Sequence, residues 1–128
     1  PVDIVAAEDC TVMFLNGKTL LNTCDNSCTF HHTLIRNLLG IVAQKNMYLN
    51  QKIKYTSRKT TREKLMAYLT DQAKLKRSND FTIPFNRQEL ADYLGVERSA
   101  MSAELGKLTK LGILRTQRSH FTLLKPLD

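Results

Sequence analysis

Between about residues 30 and 55 apolar side chains recur with helical spacing. Ile35, Leu39, Val42, Asn46, Leu49 and Ile53 follow one another at intervals of 4, 3, 4, 3 and 4 residues, the heptad spacing of a seam between two coiled helices. One Asn among apolar seam positions weakens the pair slightly but favours a partner Asn lying opposite, so it selects register and a two-stranded state. The pattern predicts a dimerisation helix over 30–56, although the same stripe also fits one buried helix of a monomer. Leu34, Leu38 and Ile41 form a second stripe one residue back, read as facing the chain's own β-domain.

Ahead of this helix, residues 2–7 and 10–15 are two β-like runs divided by Glu8-Asp9. Two strands do not make a stable sheet alone, so they are expected to belong to a larger β-domain. Because the chain opens on Pro1, without an initiator Met and directly into such a run, an upstream portion of that domain is expected. Asn16-Gly17 then punctuates the chain before a short helix over 18–23.

Beyond the long helix, Leu65, Met66, Leu69 and Ala73 form the apolar face of a helix predicted over 59–75. Residues 80–85 read as a short edge strand, since Pro84 has no N–H for a central ladder. Asn86-Arg87-Gln88-Glu89 is a helix start, with Asn86 able to cap the third amide and Glu89 to reach back. That helix should run to Leu94, stop at Gly95 in left-handed conformation, and hand over at Val96 to a second helix from Arg98 through Thr109. Met101, Leu105 and Leu108 would be buried, leaving Arg98, Ser99, Ser102 and Ala103 outward. Helix, short Gly turn and helix make a helix-turn-helix, whose second helix enters the major groove by its N-terminal end. Residues 111–116 and 120–124 flank the polar turn Gln117-Arg118-Ser119 and read as a hairpin wing, where Arg115 and Arg118 would meet phosphate.

Charge sharpens this picture. Of a formal net charge of +7, residues 1–49 hold 3 basic and 4 acidic side chains (net −1), whereas residues 50–128 hold 16 and 8 (net +8). A near-neutral half beside a basic half is expected when one segment meets a polyanion and the other binds something else; a solvated basic surface is the plainer reading. With 128 residues, 42% of them hydrophobic, the chain can build a core of one or two small domains. No run approaches the roughly 18 apolar residues of a membrane span, and a cytoplasmic location is expected.

The run Asn86-Arg87-Gln88-Glu89-Leu90-Ala91-Asp92-Tyr93-Leu94-Gly95-Val96-Glu97-Arg98-Ser99-Ala100-Met101-Ser102, with Leu111-Gly112-Ile113-Leu114, resembles the family of the cyclic-AMP receptor protein and the fumarate-nitrate reduction regulator. The resemblance extends along the chain and is strongest from Arg87 onward. It implies an α+β, mostly α architecture: the end of an effector-binding β-roll in 1–29, a dimerisation helix in 30–56 and a winged helix-turn-helix in 57–128. It implies a bacterial transcription regulator, not an enzyme, that reads a near-palindromic operator in double-stranded DNA as a homodimer, with RNA polymerase as a further partner. It implies Arg87 and Gln88 as phosphate contacts and Arg98, Ser99 and Ser102 as recognition-helix contacts. No cofactor is implied within this chain, and the effector stays open. Ser99 stands where a base-reading Glu is frequent and Ala103 where Arg is frequent, so the operator of the best-known members does not carry over. Arg98 keeps the ability to grip guanine O6 and N7 with two hydrogen bonds.

Cys24-x3-Cys28 followed by His31 and His32 is the one constellation suited to other chemistry. On a helix Cys24, Cys28 and either His31 or His32 would fall near one face and suit zinc or another soft-ligand metal, which makes a metal- or redox-sensing regulator the alternative reading. The spacing is not that of a zinc finger, and Asn26-Ser27 weakens the helix, so reduced thiols packed under the long helix are preferred and no metal is expected. A nucleophile at Cys28 lacks an orienting acid and an oxyanion donor. Three cysteines also do not form a secreted disulfide framework.

Overall fold

The computed structural model describes residues 3–21 and 28–125, divided into two compact units, Pro1–Lys45 and Asn46–Asp128. In the first unit the expected strands are not formed: residues 3–16 carry no strand pairing, and Ile4, Val5 and Phe14 are exposed. This corrects the reading of residues 2–7 and 10–15 as strands, Val2 itself lying outside the described residues. Alternation favours an extended chain, but a strand exists only where a neighbour takes up its backbone hydrogen bonds. Asn16 does start a helix, α1 (Gly17–Leu21), by accepting from the Lys18 amide at 3.0 Å; the remainder of the helix expected over 18–23 lies outside the described residues.

The long helix is formed as α2 (Thr29–Thr56). Its first hydrogen bond runs from the His32 amide to the Cys28 carbonyl at 3.3 Å. In the second unit α3 (Thr61–Lys76) begins with a capping box, Thr60 accepting from the Glu63 amide at 3.1 Å while Glu63 accepts from the Thr60 amide at 3.3 Å. Next come β1 (Asp80–Thr82), α4 (Arg87–Leu94), α5 (Arg98–Lys110), β2 (Leu114–Gln117) and β3 (His120–Leu123). The strands form an antiparallel sheet in the order β1-β3-β2, with Phe121 opposite both Phe81 and Thr116. Among the described residues the architecture is mostly helical with this one small sheet.

Leu65 and Leu69 of α3, Leu90 and Leu94 of α4, Met101, Leu105 and Leu108 of α5, Leu114 of β2 and Phe121 of β3 are buried together. At about 1.5–3 kcal/mol for each fully buried large apolar side chain, this core holds the two short helices and the hairpin in fixed relation. Residues 111–113 end α5 instead of opening β2, contrary to the expected strand over 111–116. Gly112 adopts φ +66°, which lets the Gly112 and Ile113 amides bond back to the Thr109 and Leu108 carbonyls, both at 3.0 Å, a helix-terminating arrangement that favours glycine.

Candidate nucleic-acid interface

Local capping aims the two helices. Asn86 accepts from the Glu89 amide at 2.9 Å and its own amide donates to Glu89 Oε2 at 2.8 Å, so α4 starts where the Asn-x-x-Glu pattern predicts. Gly95 ends it at φ +60°. Lys64 Nζ donates to the Gly95 carbonyl at 3.3 Å, tying α3 to the turn, a contact that nothing in the local pattern signals. Glu97 then caps α5, accepting from the Ala100 amide at 2.8 Å and from the Ser99 hydroxyl. These hydrogen bonds, that from the Ser99 hydroxyl foremost, hold the Glu97 carboxyl below its usual range. The cap was missed in the sequence because Glu is not among the favoured N-cap residues.

On α5, Met101, Leu105 and Leu108 are buried while Arg98, Ser99, Ser102 and Ala103 are exposed, as expected. Arg98 therefore opens the helix on its exposed face, and the Ser99 hydroxyl beside it is engaged by Glu97. In the hairpin, Arg115 and Arg118 are both exposed. Arg118 occupies the two-residue tip at φ +54°, while Ser119 fastens that tip inward: its hydroxyl donates to the Phe85 carbonyl at 2.9 Å and its carbonyl accepts from the Ile83 amide at 3.0 Å.

Asn86, Arg87, Gln88, Arg98, Arg118 and Ser119 line one open cleft of about 510 Å³. Four of the residues singled out in the sequence, Arg87, Gln88, Arg98 and Arg118, thus meet in one concave surface, from the start of α4, the start of α5 and the hairpin tip. Ser99, Ser102 and Arg115 lie outside it. Three guanidiniums around one cleft concentrate positive potential there, which suits an anion of the spacing and charge of a phosphate backbone. Gln88 is held along its helix by donating to Asp92 at 2.9 Å.

Arg87 sits differently from a free surface cation. It is half-buried, its Nη2 donates to Thr116 Oγ1 at 2.6 Å, and its guanidinium carbon lies 5.0 Å from the centre of the Phe121 ring. Nη1 is buried without a hydrogen-bond partner among the described residues. Desolvation pushes its pKa down from the ordinary arginine value.

The candidate seam is open to solvent. Leu39, Val42, Leu49 and Ile53 are 55–64% exposed, Asn46 is exposed and Ile35 is half-buried. Asn50, not singled out in the sequence, donates from Nδ2 to Asn46 Oδ1 at 2.6 Å. Of the cysteine constellation, Cys24 lies outside the described residues, and among the described residues no group of three or more His, Cys, Asp or Glu side chains suits a metal ion. Among them, too, no helix is long and apolar enough to cross a membrane.

A capped helix pair with an exposed second-helix N-terminus, joined to a basic hairpin across a cationic cleft, defines a winged helix-turn-helix of the DNA-binding type. Residues 63–127, just over half of the chain, match the family model described as the Crp-like helix-turn-helix domain, and the chain belongs to that family. Solved structures similar to it include a putative transcriptional regulator of the crp/fnr family from Eubacterium rectale ATCC 33656, at 16% identity and TM-score 0.48, covering 77% of this chain and 43% of that one. Another is the reduced Fe(II) CO-sensing protein from R. rubrum, at 18% identity and TM-score 0.37, covering 76% of this chain and 47% of that one. This chain thus spans less than half the length of either. No curated protein matches it.

Proposed function

We propose that this chain is the dimerising and DNA-reading part of a Crp/Fnr-type transcription regulator. The observation that carries the reading is the cleft shared by Arg87, Gln88, Arg98 and Arg118 beside the exposed outer face of α5. Recognition helices of this kind enter the major groove N-terminus first, while positions around them hold phosphates. Arg98, with Ser99 and Ser102, reads base edges; Gln88, Arg115 and Arg118 hold the backbone, and Arg87 works from beneath the hairpin. Residues 57–128 act as the DNA-binding domain and residues 30–56 as the dimerisation helix through Ile35, Leu39, Val42, Asn46, Leu49 and Ile53. The exposure of four of these apolar side chains in the single chain supports a second copy as their cover.

Residues 1–29 are then the end of an effector domain, whose ligand is of unassigned class. Two copies read two half-sites about one helical turn apart, hence a near-palindrome, in the bacterial cytoplasm and with RNA polymerase as the downstream partner. The reading is of a binding protein, not an enzyme. Selection of duplexes from a random pool, followed by fluorescence anisotropy on the winner and a scrambled control, tests it. A half-site repeated with inverted symmetry is the expected result. Equal affinity for both duplexes at every salt concentration overturns it.

A further inference from the structure

We infer that Arg87 is the positioning residue of the wing, acting on DNA through the hairpin that carries Arg118; the inference rests on the DNA-binding reading above. Thr116 and Phe121 are directly opposite one another across β2 and β3, one step behind the Gln117 and His120 pair that closes the tip. Arg87 engages both members of that pair at once. It donates to Thr116 Oγ1 at 2.6 Å, and its guanidinium carbon lies over the Phe121 ring, 5.0 Å from the ring centre. One side chain at the start of α4 therefore grips both strands of the hairpin at their last inward-facing pair.

The environment of Arg87 fits this role better than that of a plain phosphate anchor. An anchor keeps its guanidinium in solvent until the backbone arrives, whereas Arg87 is half-buried, with Nη1 buried and unpartnered among the described residues. Among the described residues its hydrogen-bond partner is the Thr116 hydroxyl and no carboxylate pairs with it. Burying a cation without a counter-charge is unfavourable, and a buried unpaired polar atom in a native fold calls for a reason. The guanidinium supplies one: its carbon lies over the Phe121 ring while Nη2 donates to Thr116, a pairing that a lysine ammonium does not reproduce. Ser119 ties the tip a second time through Phe85 and Ile83. Together the two ties set the height of Arg118 above α4 and the width of the cleft it shares with Arg98.

The test uses the full chain and separates tethering from charge. Thr116→Val keeps every cation and removes only the acceptor; Thr116→Ser restores it; Arg87→Lys keeps the charge and loses the planar grip. In the free protein, backbone amide exchange at residues 117–119 is expected to rise in Thr116→Val and Arg87→Lys and to return to the original rate in Thr116→Ser. On a selected duplex, Thr116→Val should weaken binding roughly three- to tenfold, the size of one hydrogen bond, and Arg118→Ala should cost less in that background than in the original chain. Unchanged exchange in Thr116→Val, or full additivity of Thr116→Val with Arg118→Ala, overturns the positioning role. Increased exchange at the tip in a chain that prefers no duplex overturns the DNA reading and leaves the tether itself supported.

Discussion

Asn50 donates to Asn46 across 2.6 Å on the exposed face of α2, which orients the Asn46 amide and leaves its oxygen one further lone pair. In the proposed seam of Ile35, Leu39, Val42, Leu49 and Ile53, an oriented amide would specify its neighbour, favouring a register in which the partner copy offers an acceptor at the same level. Asn46→Leu should tighten self-association while broadening oligomer number or register. Sedimentation equilibrium checks both, and a variant that leaves affinity and oligomer number unchanged would remove Asn46 from the seam.

A second prediction concerns backbone strain of opposite sign at two helix ends. Arg77 closes α3 at φ +51°, a left-handed conformation in which a Cβ is strained, whereas Gly95 closes α4 at φ +60°. The left-handed region costs a non-glycine residue about 1 kcal/mol or more. Arg77→Gly is therefore expected to stabilise by about 0.5 kcal/mol after the entropy a glycine gains on unfolding. Gly95→Ala should destabilise by about 1 kcal/mol, from strain alone, because a Cβ there would stand at an ordinary 3.8 Å from Thr56 Cγ2. Thermal unfolding of both variants measures the two signs; the same sign in both would refute the account.

Much of this fold was legible because its signals are local. Asn86 and Glu89 lie three residues apart and cap α4 as their pattern says, and Met101, Leu105 and Leu108 mark the buried side of α5. Thr60 and Glu63 carry the same capping signature, which starts α3 at Thr61 and not at residue 59. Local pattern misled where pairing is non-local: residues 2–7 and 10–15 alternate like strands, yet alternation does not supply a neighbour. The Arg87 environment was illegible for the same reason, since its partners Thr116 and Phe121 arrive only when the hairpin folds back some 29 residues later in the chain. Ile113 looked like strand because it is apolar and β-branched, but Gly112 commits it to ending α5.

Alkaline pH supplies a third prediction. Burial pushes up the phenols of Tyr55, Tyr68 and Tyr93, and the Asp71 carboxylate, which accepts from Tyr55 at 3.0 Å, adds to the effect there. A raised native pKa means the native state keeps protons that the unfolded chain releases near pH 10. The associated stability is complete below that value and is lost as pH rises beyond it, by up to about 1.4 kcal/mol per pH unit for each such tyrosine. Urea unfolding at pH 8, 10 and 11 should show the fall, and Tyr68→Phe should make it shallower. A slope that Tyr68→Phe leaves unaltered would mean that Tyr68 titrates alike in both states.

The last prediction separates reading from anchoring. Arg98 stands exposed at the first turn of α5, and the bidentate guanine contact proposed for it discriminates by about 1–3 kcal/mol. Arg118 stands at the hairpin tip, where its proposed partner is a phosphate, which carries no sequence information. Arg98→Ala should therefore weaken a selected operator far more than a scrambled duplex, with the loss confined to one base position in each half-site. Arg118→Ala should weaken both duplexes alike and lower the slope of log affinity against log salt by roughly 1 per protomer, the release of about one counterion for each lost phosphate contact. Ser99 offers a control within the same helix: its hydroxyl already donates to Glu97, so Ser99→Ala is expected to change base preference less than Arg98→Ala. Salt titrations of the three variants on both duplexes decide the assignment. Equal losses on operator and scrambled duplex for Arg98→Ala would make Arg98 an anchor and shift specificity to Ser102 or to the bending energy of the site.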